Sequence, residues 1–128
     1  MTNARRNTKV APSGFQAACC HSAGSLAPDC KLEFEAYAAS LAPSEACGVV
    51  CGSKFWPCRN IADDPERDFV IDPRSFAAAA LSGAVTAVIH SHPMGGPASA
   101  ADLSACRGTG LPWHIYSMPD EQWSTIEP

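Results

Sequence analysis

The chain has 128 residues, which is enough for one domain with a modest hydrophobic core. Its formal net charge is −4, and all 13 acidic residues lie within 28–128, alongside six basic residues. An acidic domain without a basic stripe argues against a nucleic-acid partner. No apolar run approaches the roughly 20 residues that a membrane span requires, so no membrane association is predicted.

Residues 1–27 differ in composition from the rest of the chain. They are rich in Ala, Ser, Asn and Gly, show no hydrophobic periodicity, and carry Arg5, Arg6 and Lys9 without any acid. We predict a disordered N-terminal lead at 1–27, followed by a folded domain at 28–128. Seven cysteines at irregular spacing indicate reduced thiols and a cytoplasmic location.

Predicted helices and strands alternate along the folded domain. A helix is predicted at 31–41, and strands follow at about 46–51, 54–61 and 67–71. Asp72 and Pro73 begin a second helix that continues through residue 81. A buried strand at 84–91, a helix at 100–107 closed by Gly108, and strands near 112–117 and 121–126 complete the order. This order predicts an α/β fold of the mixed α+β kind, with a mixed sheet flanked by helices.

The most specific pattern follows the apolar run at 84–89, which is rich in β-branched residues. Side chains two apart on a strand point to the same side, so His90 and His92 emerge together from the strand's end. Residues 93–97 force a turn, and Ser99 then caps a helix that carries Asp102 in its first turn. Two imidazoles and one carboxylate are the donor set of a catalytic zinc site, so we predict that His90, His92 and Asp102 bind Zn²⁺. The alternative is a pair of surface histidines beside an ordinary helix-start acid.

Glu45 and Ser99 are the candidate catalytic residues. A hydrolase needs a base that accepts the proton of the attacking water and passes it to the leaving amine. Glu45 lies at the entrance of the apolar strand at 46–51, where an acid is unfavourable unless it is solvated or paired. Ser99 can donate a hydrogen bond to a developing oxyanion, or act only as a helix cap, or do both. We assign no catalytic role to Ser91.

These residues resemble the signature of a known family. A glutamate, then His-Ser-His-Pro, then Ser-x-x-Asp is similar to the motif of the JAMM metallopeptidases, also called Mov34/MPN/PAD-1 or JAB. The resemblance covers about residues 30–128 and implies the MPN/JAB1 fold, which is cytidine-deaminase-like. The interval between His92 and Ser99 looks one residue shorter than in the eukaryotic deubiquitinating members, which concerns the subfamily more than the chemistry.

A closer resemblance is to the N-terminal domain of phage tail assembly proteins of the lambda K type. It is carried by the segments 43–48, 58–65, 69–73 and 110–115. In that group a cysteine peptidase domain of the NlpC/P60 type commonly follows, and none of it occurs before Pro128. The chain is therefore either a stand-alone form or a truncated one.

Together these features predict a zinc-dependent peptidase that hydrolyses a peptide or isopeptide bond during phage or prophage tail assembly. The expected partners are a protein or peptide substrate and phage tail proteins, in the host cytoplasm if the protein is phage-encoded. One alternative is a prokaryotic JAMM peptidase that processes ubiquitin-like sulfur-carrier proteins. Another is a non-catalytic MPN scaffold module of the tail, although such members usually lose the metal ligands.

Overall fold

A computed structural model describes residues 25–128. Apart from its last three residues, the predicted disordered lead at 1–27 lies outside this part of the chain. Leu26, near the start of the described part, is buried against the first helix. No helix within 25–128 is long and apolar enough to cross a membrane.

Three helices and five strands form the described domain. In chain order they are α1 (Pro28–Leu41), β1 (Cys47–Cys51), β2 (Lys54–Cys58), α2 (Pro73–Ser82), β3 (Val85–His92), α3 (Ala100–Thr109), β4 (Trp113–Ser117) and β5 (Gln122–Ile126).

The strands form one mixed sheet in the order β2-β1-β3-β4-β5. Only β3 and β4 pair in parallel, and the other neighbours are antiparallel. β3 is the central strand, so its end is surrounded by protein on both sides. The prediction of a mixed sheet flanked by helices is confirmed.

Two hydrophobic clusters pack on the two faces of the sheet. α1 covers one face through Cys30, Phe34 and Ala38. α2 and α3 contribute Phe76, Ala79 and Cys106 to the cluster on the other face. Alternate residues of β3 therefore enter different clusters, with Val88 on the α2/α3 side and Ile89 on the α1 side. His90 and His92 share the face of Val88, which places them on the α2/α3 side.

Several predicted boundaries were wrong. α1 begins at Pro28, because a proline at the first helical position already has a helical φ. α3 continues to Thr109, since Gly110, with φ 69°, is the residue in the left-handed conformation that ends it. Gly108 is helical.

The strand predicted at 67–71 is absent, and the strand predicted at 54–61 ends at Cys58. Only an isolated bridge between Asn60 and Ile71 remains. The physical reason is the Asn60 side chain, which bonds to main-chain groups of Ala62, Asp68 and Val70. The Asp68 carbonyl and the Val70 N–H, which could pair with a neighbouring strand, are thus bonded to the Asn60 side chain instead.

The five cysteines of the described part form no disulfide. Cys47 is fully buried in β1, and Cys51 at the end of the same strand is half-buried. Burial raises the pKa of the Cys58 thiol to about 12, with the charges of Cys51 and Asp72 acting in the same direction. Such thiols behave as small apolar core residues near neutral pH.

Candidate metal centre

β3 carries two of the three candidate ligands. His90 and His92 are two residues apart in the central strand and therefore project from one face. His90 pairs in register with Cys47 of β1 and Ile115 of β4, and it is completely buried. His92 ends the strand and is half-buried. The C-terminal end of the central strand β3 thus places both imidazoles side by side.

The N-terminus of α3 supplies the third candidate, Asp102. Ser99 Oγ accepts a hydrogen bond of 3.0 Å from the Asp102 N–H, and Asp102 Oδ2 accepts one of 3.0 Å from the Ser99 N–H. This reciprocal capping box fixes the carboxylate within the first helical turn. The preceding loop turns at Gly95 and Gly96, whose φ values of 85° and 95° favour glycine. The turn brings Asp102 back to the histidines.

The three side chains converge with the spacing of metal ligands. His90 Nε2 lies 3.2 Å from His92 Nε2. Asp102 Oδ1 is 3.3 Å from His90 Nε2, and Asp102 Oδ2 is 3.1 Å from His92 Nε2. Two ligands that each lie about 2.0 Å from a tetrahedral zinc ion are about 3.3 Å apart. Within residues 25–128, these side chains form the one group of three His, Cys, Asp or Glu that could hold a metal ion.

The hydrogen-bond partners of His92 also fit a cation. His92 Nδ1 lies 3.1 Å from Gly96 O, and a carbonyl oxygen only accepts, so Nδ1 carries a proton. In the neutral imidazole, Nε2 then presents a lone pair to His90 Nε2 and to the Asp102 carboxylate. A cation between them satisfies these groups. A metal-ligating histidine commonly donates its other ring N–H to a backbone carbonyl, as His92 Nδ1 does here to Gly96 O.

The three groups have different proton affinities. Burial lowers the pKa of His90, which keeps this imidazole neutral near pH 7. The hydrogen bond with Asp102 raises the pKa of His92. Burial opposes ionisation of Asp102. When the histidines carry protons on Nε2, their hydrogen bonds to Asp102 outweigh burial and hold the pKa of this carboxyl well below its usual range. A negative carboxylate beside a neutral imidazole is a state that accepts a cation.

Aromatic packing fixes the His90 ring. Phe69 stacks on it with centroids 4.4 Å apart, and Trp113 meets it edge-on at 5.5 Å. Nδ1 of His90 is the one buried side-chain nitrogen or oxygen within 25–128 that has no hydrogen-bond partner. Packing on two sides, rather than a hydrogen bond at Nδ1, therefore sets the orientation of this imidazole.

Glu45 reaches the same region from the segment that precedes β1. The neighbouring Ala46 N–H donates a hydrogen bond of 2.8 Å to Ser91 Oγ, which ties this segment to β3 between the two histidines. Ser91 therefore faces away from the ligands. The Glu45 N–H donates to Pro65 O at 2.7 Å.

Glu45 is buried, with only 8% of the residue exposed. Burial raises its pKa to about 7; His92 opposes this shift, whereas Asp102 and Asp68 add to it. A carboxyl with such a pKa can both accept and donate a proton near neutral pH.

A groove of about 530 Å³ connects these groups. Glu45, His92, Ser99 and Asp102 all line it, and residues 66–68 form what we call the groove wall. Ser99 is exposed, and its Oγ accepts a hydrogen bond from the Asp102 N–H, so Ser99 caps α3. The structure thus brings all five predicted site residues to one place, with His90 buried behind the groove.

Sequence patterns missed two residues of this region. Phe69 is a buried core aromatic that also stacks on His90, and no sequence pattern indicated this contact. Asn60 received no role, although its side chain binds the main chain of Glu45. Its one signal in the sequence is its position just after a strand and before the Asp- and Pro-containing run at 63–65, where asparagine side chains commonly bond to nearby main chain.

The fold and this candidate metal centre are those of a JAB-type domain. The family model of the prokaryotic homologs of the JAB domain matches residues 28–126, and the chain belongs to this family.

Over 98 residues the chain is 41% identical to the tail tip assembly protein K of Escherichia phage N15, a match covering 73% of this chain and 40% of that protein. The chain therefore spans less than half the length of this relative. The predicted resemblance to K-type tail proteins is confirmed.

The fold is also similar to the solution structure of a protein from Desulfitobacterium hafniense. The TM-score is 0.64 and the identity 24%, with 78% of this chain and 79% of that chain covered.

Proposed function

We propose that the protein is a zinc-dependent peptidase of the JAMM type that hydrolyses a peptide or isopeptide bond. One observation carries the proposal. The Nε2 atoms of His90 and His92 and the carboxylate oxygens of Asp102 lie 3.1–3.3 Å apart, which is the spacing of ligands around one tetrahedral ion. Three protein ligands leave the fourth position open for catalysis.

His90, His92 and Asp102 would hold the zinc ion. When bound, zinc supplies a Lewis acid that polarises a carbonyl and makes water ionise near neutral pH. The capping box holds Asp102, the Gly96 carbonyl orients His92, and Phe69 holds His90. These contacts preorganise the ligands, so that little reorganisation accompanies metal binding.

Glu45 is the proposed general base and general acid. Its carboxyl lines the groove with His92 and Asp102, and burial raises its pKa to about 7. It can therefore take a proton from the attacking water and later deliver that proton to the leaving amine.

Ser99 is the proposed donor to the oxyanion. Its Oγ accepts the Asp102 N–H, which leaves the hydroxyl hydrogen free to point into the groove. A donor aimed at the developing negative charge stabilises the tetrahedral intermediate. Helix capping and oxyanion binding use different parts of this hydroxyl.

Tail assembly is the proposed setting, with tail proteins as partners and the host cytoplasm as location. The similarity to a tail tip assembly protein supports this setting over the processing of sulfur-carrier proteins. The scaffold alternative is less favoured because the ligand geometry is complete.

Metal analysis and a trapping experiment test the proposal. Purified protein is expected to carry about one zinc per chain, and His92→Ala is expected to lose it. Glu45→Gln is expected to keep zinc, abolish cleavage, and retain substrate in crosslinking experiments in infected or induced cells. Absence of stoichiometric zinc, or cleavage undiminished in Glu45→Gln, would show that the proposed chemistry is wrong.

A further inference from the structure

Asn60 connects Glu45 to the groove wall through a single side chain. Its Nδ2 donates hydrogen bonds of 3.0 Å to Glu45 O and 3.0 Å to Asp68 O. Its Oδ1 accepts from the N–H groups of Ala62 at 3.0 Å and Val70 at 3.1 Å. A primary amide offers two donors and two acceptor positions, so all four are used.

The main chain of Glu45 depends on this segment and not on the sheet. β1 begins only at Cys47, so Glu45 lies outside the strand ladder. Its carbonyl accepts from Asn60, and its N–H donates to Pro65 O, which belongs to the same loop at 59–72. Both polar main-chain groups of Glu45 are therefore held by the loop that also carries the groove wall.

We propose that Asn60 is a positioning residue: it fixes the Glu45 carboxylate relative to the groove wall at 66–68. The Glu45 carboxylate, which would transfer the proton, and the groove wall at 66–68 then form one rigid unit. This inference rests on the proposed function of Glu45, which it extends to a residue that does not itself contact the substrate.

Asn60 makes no hydrogen bond to any of the three metal ligands. His90 stacks on Phe69 of the loop at 59–72, but it also lies in the central strand β3 and packs on Trp113 of β4. Asp102 is held by Ser99, and His92 is held by the Gly96 carbonyl. Loss of Asn60 is therefore expected to disturb Glu45 while leaving zinc binding nearly unchanged. If Asn60 only stabilised the fold, its loss would change both the Glu45 environment and the zinc affinity, or neither of them.

The test compares Asn60→Ala with Ser75→Ala in the 128-residue chain. Ser75 anchors the same loop, since its Oγ accepts from the Arg59 N–H at 3.2 Å and donates to Asp72 Oδ2 at 3.2 Å. It makes no bond to Glu45, so it controls for general loosening of the loop. Zinc affinity is measured by competition with a chelating dye. The Glu45 carboxyl is followed by ¹³C NMR titration of metal-free protein and assigned with Glu45→Gln.

Asn60→Ala is expected to keep zinc affinity within about threefold of the wild type. Its Glu45 titration midpoint is expected to fall from about 7 by at least about one pH unit, because a released carboxylate becomes better solvated. Exchange of the Glu45 amide hydrogen is expected to become about tenfold faster. Ser75→Ala is expected to change none of these three quantities.

An unchanged midpoint and unchanged amide exchange in Asn60→Ala would overturn the inference, as would equal changes in Ser75→Ala. If Asn60→Ala does not fold, Asn60→Asp replaces it, because it keeps the acceptor for Ala62 and Val70 and loses the Nδ2 donor to Glu45 and Asp68. Its readout is the exchange of the Glu45 amide, with the same expected increase. Failure of the wild type to bind zinc would instead refute the proposed function.

Discussion

Replacing Asp102 by alanine separates metal binding from helix capping. Its carboxylate lies 3.1 Å from His92 Nε2 and also accepts the Ser99 N–H. Ser99→Ala is the matched control, because it removes the other half of the capping box and leaves all three candidate ligands. Without metal, each variant is expected to lose about 1 kcal/mol of stability from the lost cap.

Zinc is expected to distinguish the two variants. A ligand that binds only the folded state, at 100 times its Kd, stabilises that state by about 2.7 kcal/mol. In a domain of this size about 1 kcal/mol corresponds to a shift in Tm of about 4–8 °C. Zinc is therefore expected to raise the Tm of the wild type and of Ser99→Ala by about 10–20 °C. Asp102→Ala is expected to show little of this rise, because two imidazoles alone hold the ion weakly.

The assay is thermal unfolding followed by circular dichroism, in the presence of a chelator and again with excess zinc. The Tm with zinc is compared with the Tm without zinc for the same variant, so the stability lost with the helix cap does not affect the difference. A zinc-dependent rise in Asp102→Ala as large as that of the wild type would refute the assignment of this carboxylate as a ligand. Loss of the rise in Ser99→Ala would show that capping, and not coordination, explains the effect.

Three further changes test other parts of the structure. Burial raises the pKa of Glu45 from 4.5 to about 7, so the folded state binds more protons than the unfolded state between these values. Stability of metal-free protein then falls as pH rises through this window, by about 3 kcal/mol at most, and Glu45→Gln is expected to remove this loss in urea unfolding at pH 5 and 8. Phe69→Ala is expected to cost about 3–5 kcal/mol in urea unfolding and to weaken zinc binding, because His90 loses its stacking partner. Gly48→Ala is expected to cost about 1–3 kcal/mol in the same assay, because its Cβ would collide with Trp56 O.

Each of these has an opposite outcome that is equally measurable. An identical pH dependence in Glu45→Gln and the wild type would mean that the Glu45 carboxyl is solvated in the folded protein. Zinc affinity unchanged in Phe69→Ala would separate the aromatic packing from the metal centre. Wild-type stability in Gly48→Ala would mean that β1 and β2 can move apart at no cost.

The metal ligands were predictable because their arrangement is local. His90 and His92 follow from the two-residue period of a strand, and Asp102 from a helix whose cap is visible in the sequence. Gly95 and Gly96 likewise indicate the turn between the strand and the helix. Each of these signals extends over no more than about a dozen residues of chain.

The loop at 59–72 shows where such signals fail. Residues 67–71 have the composition of a strand, yet the Asn60 side chain takes the main-chain groups that would form the ladder. The stacking of Phe69 on His90 likewise joins residues that are 21 positions apart. Hydrophobic periodicity contains no information about such contacts, because it records only which face of an element is buried.

By itself, the sequence determined the fold class, the central strand and the donor set of the candidate metal centre, because strand period and helix capping act over short distances. Only the tertiary structure decided that Glu45 enters the same groove, through the bond between Ala46 and Ser91 across 45 positions of chain. It also decided that Asn60 anchors Glu45. Those contacts exist only once the chain has packed, since each joins a side chain to main-chain groups that no local pattern specifies.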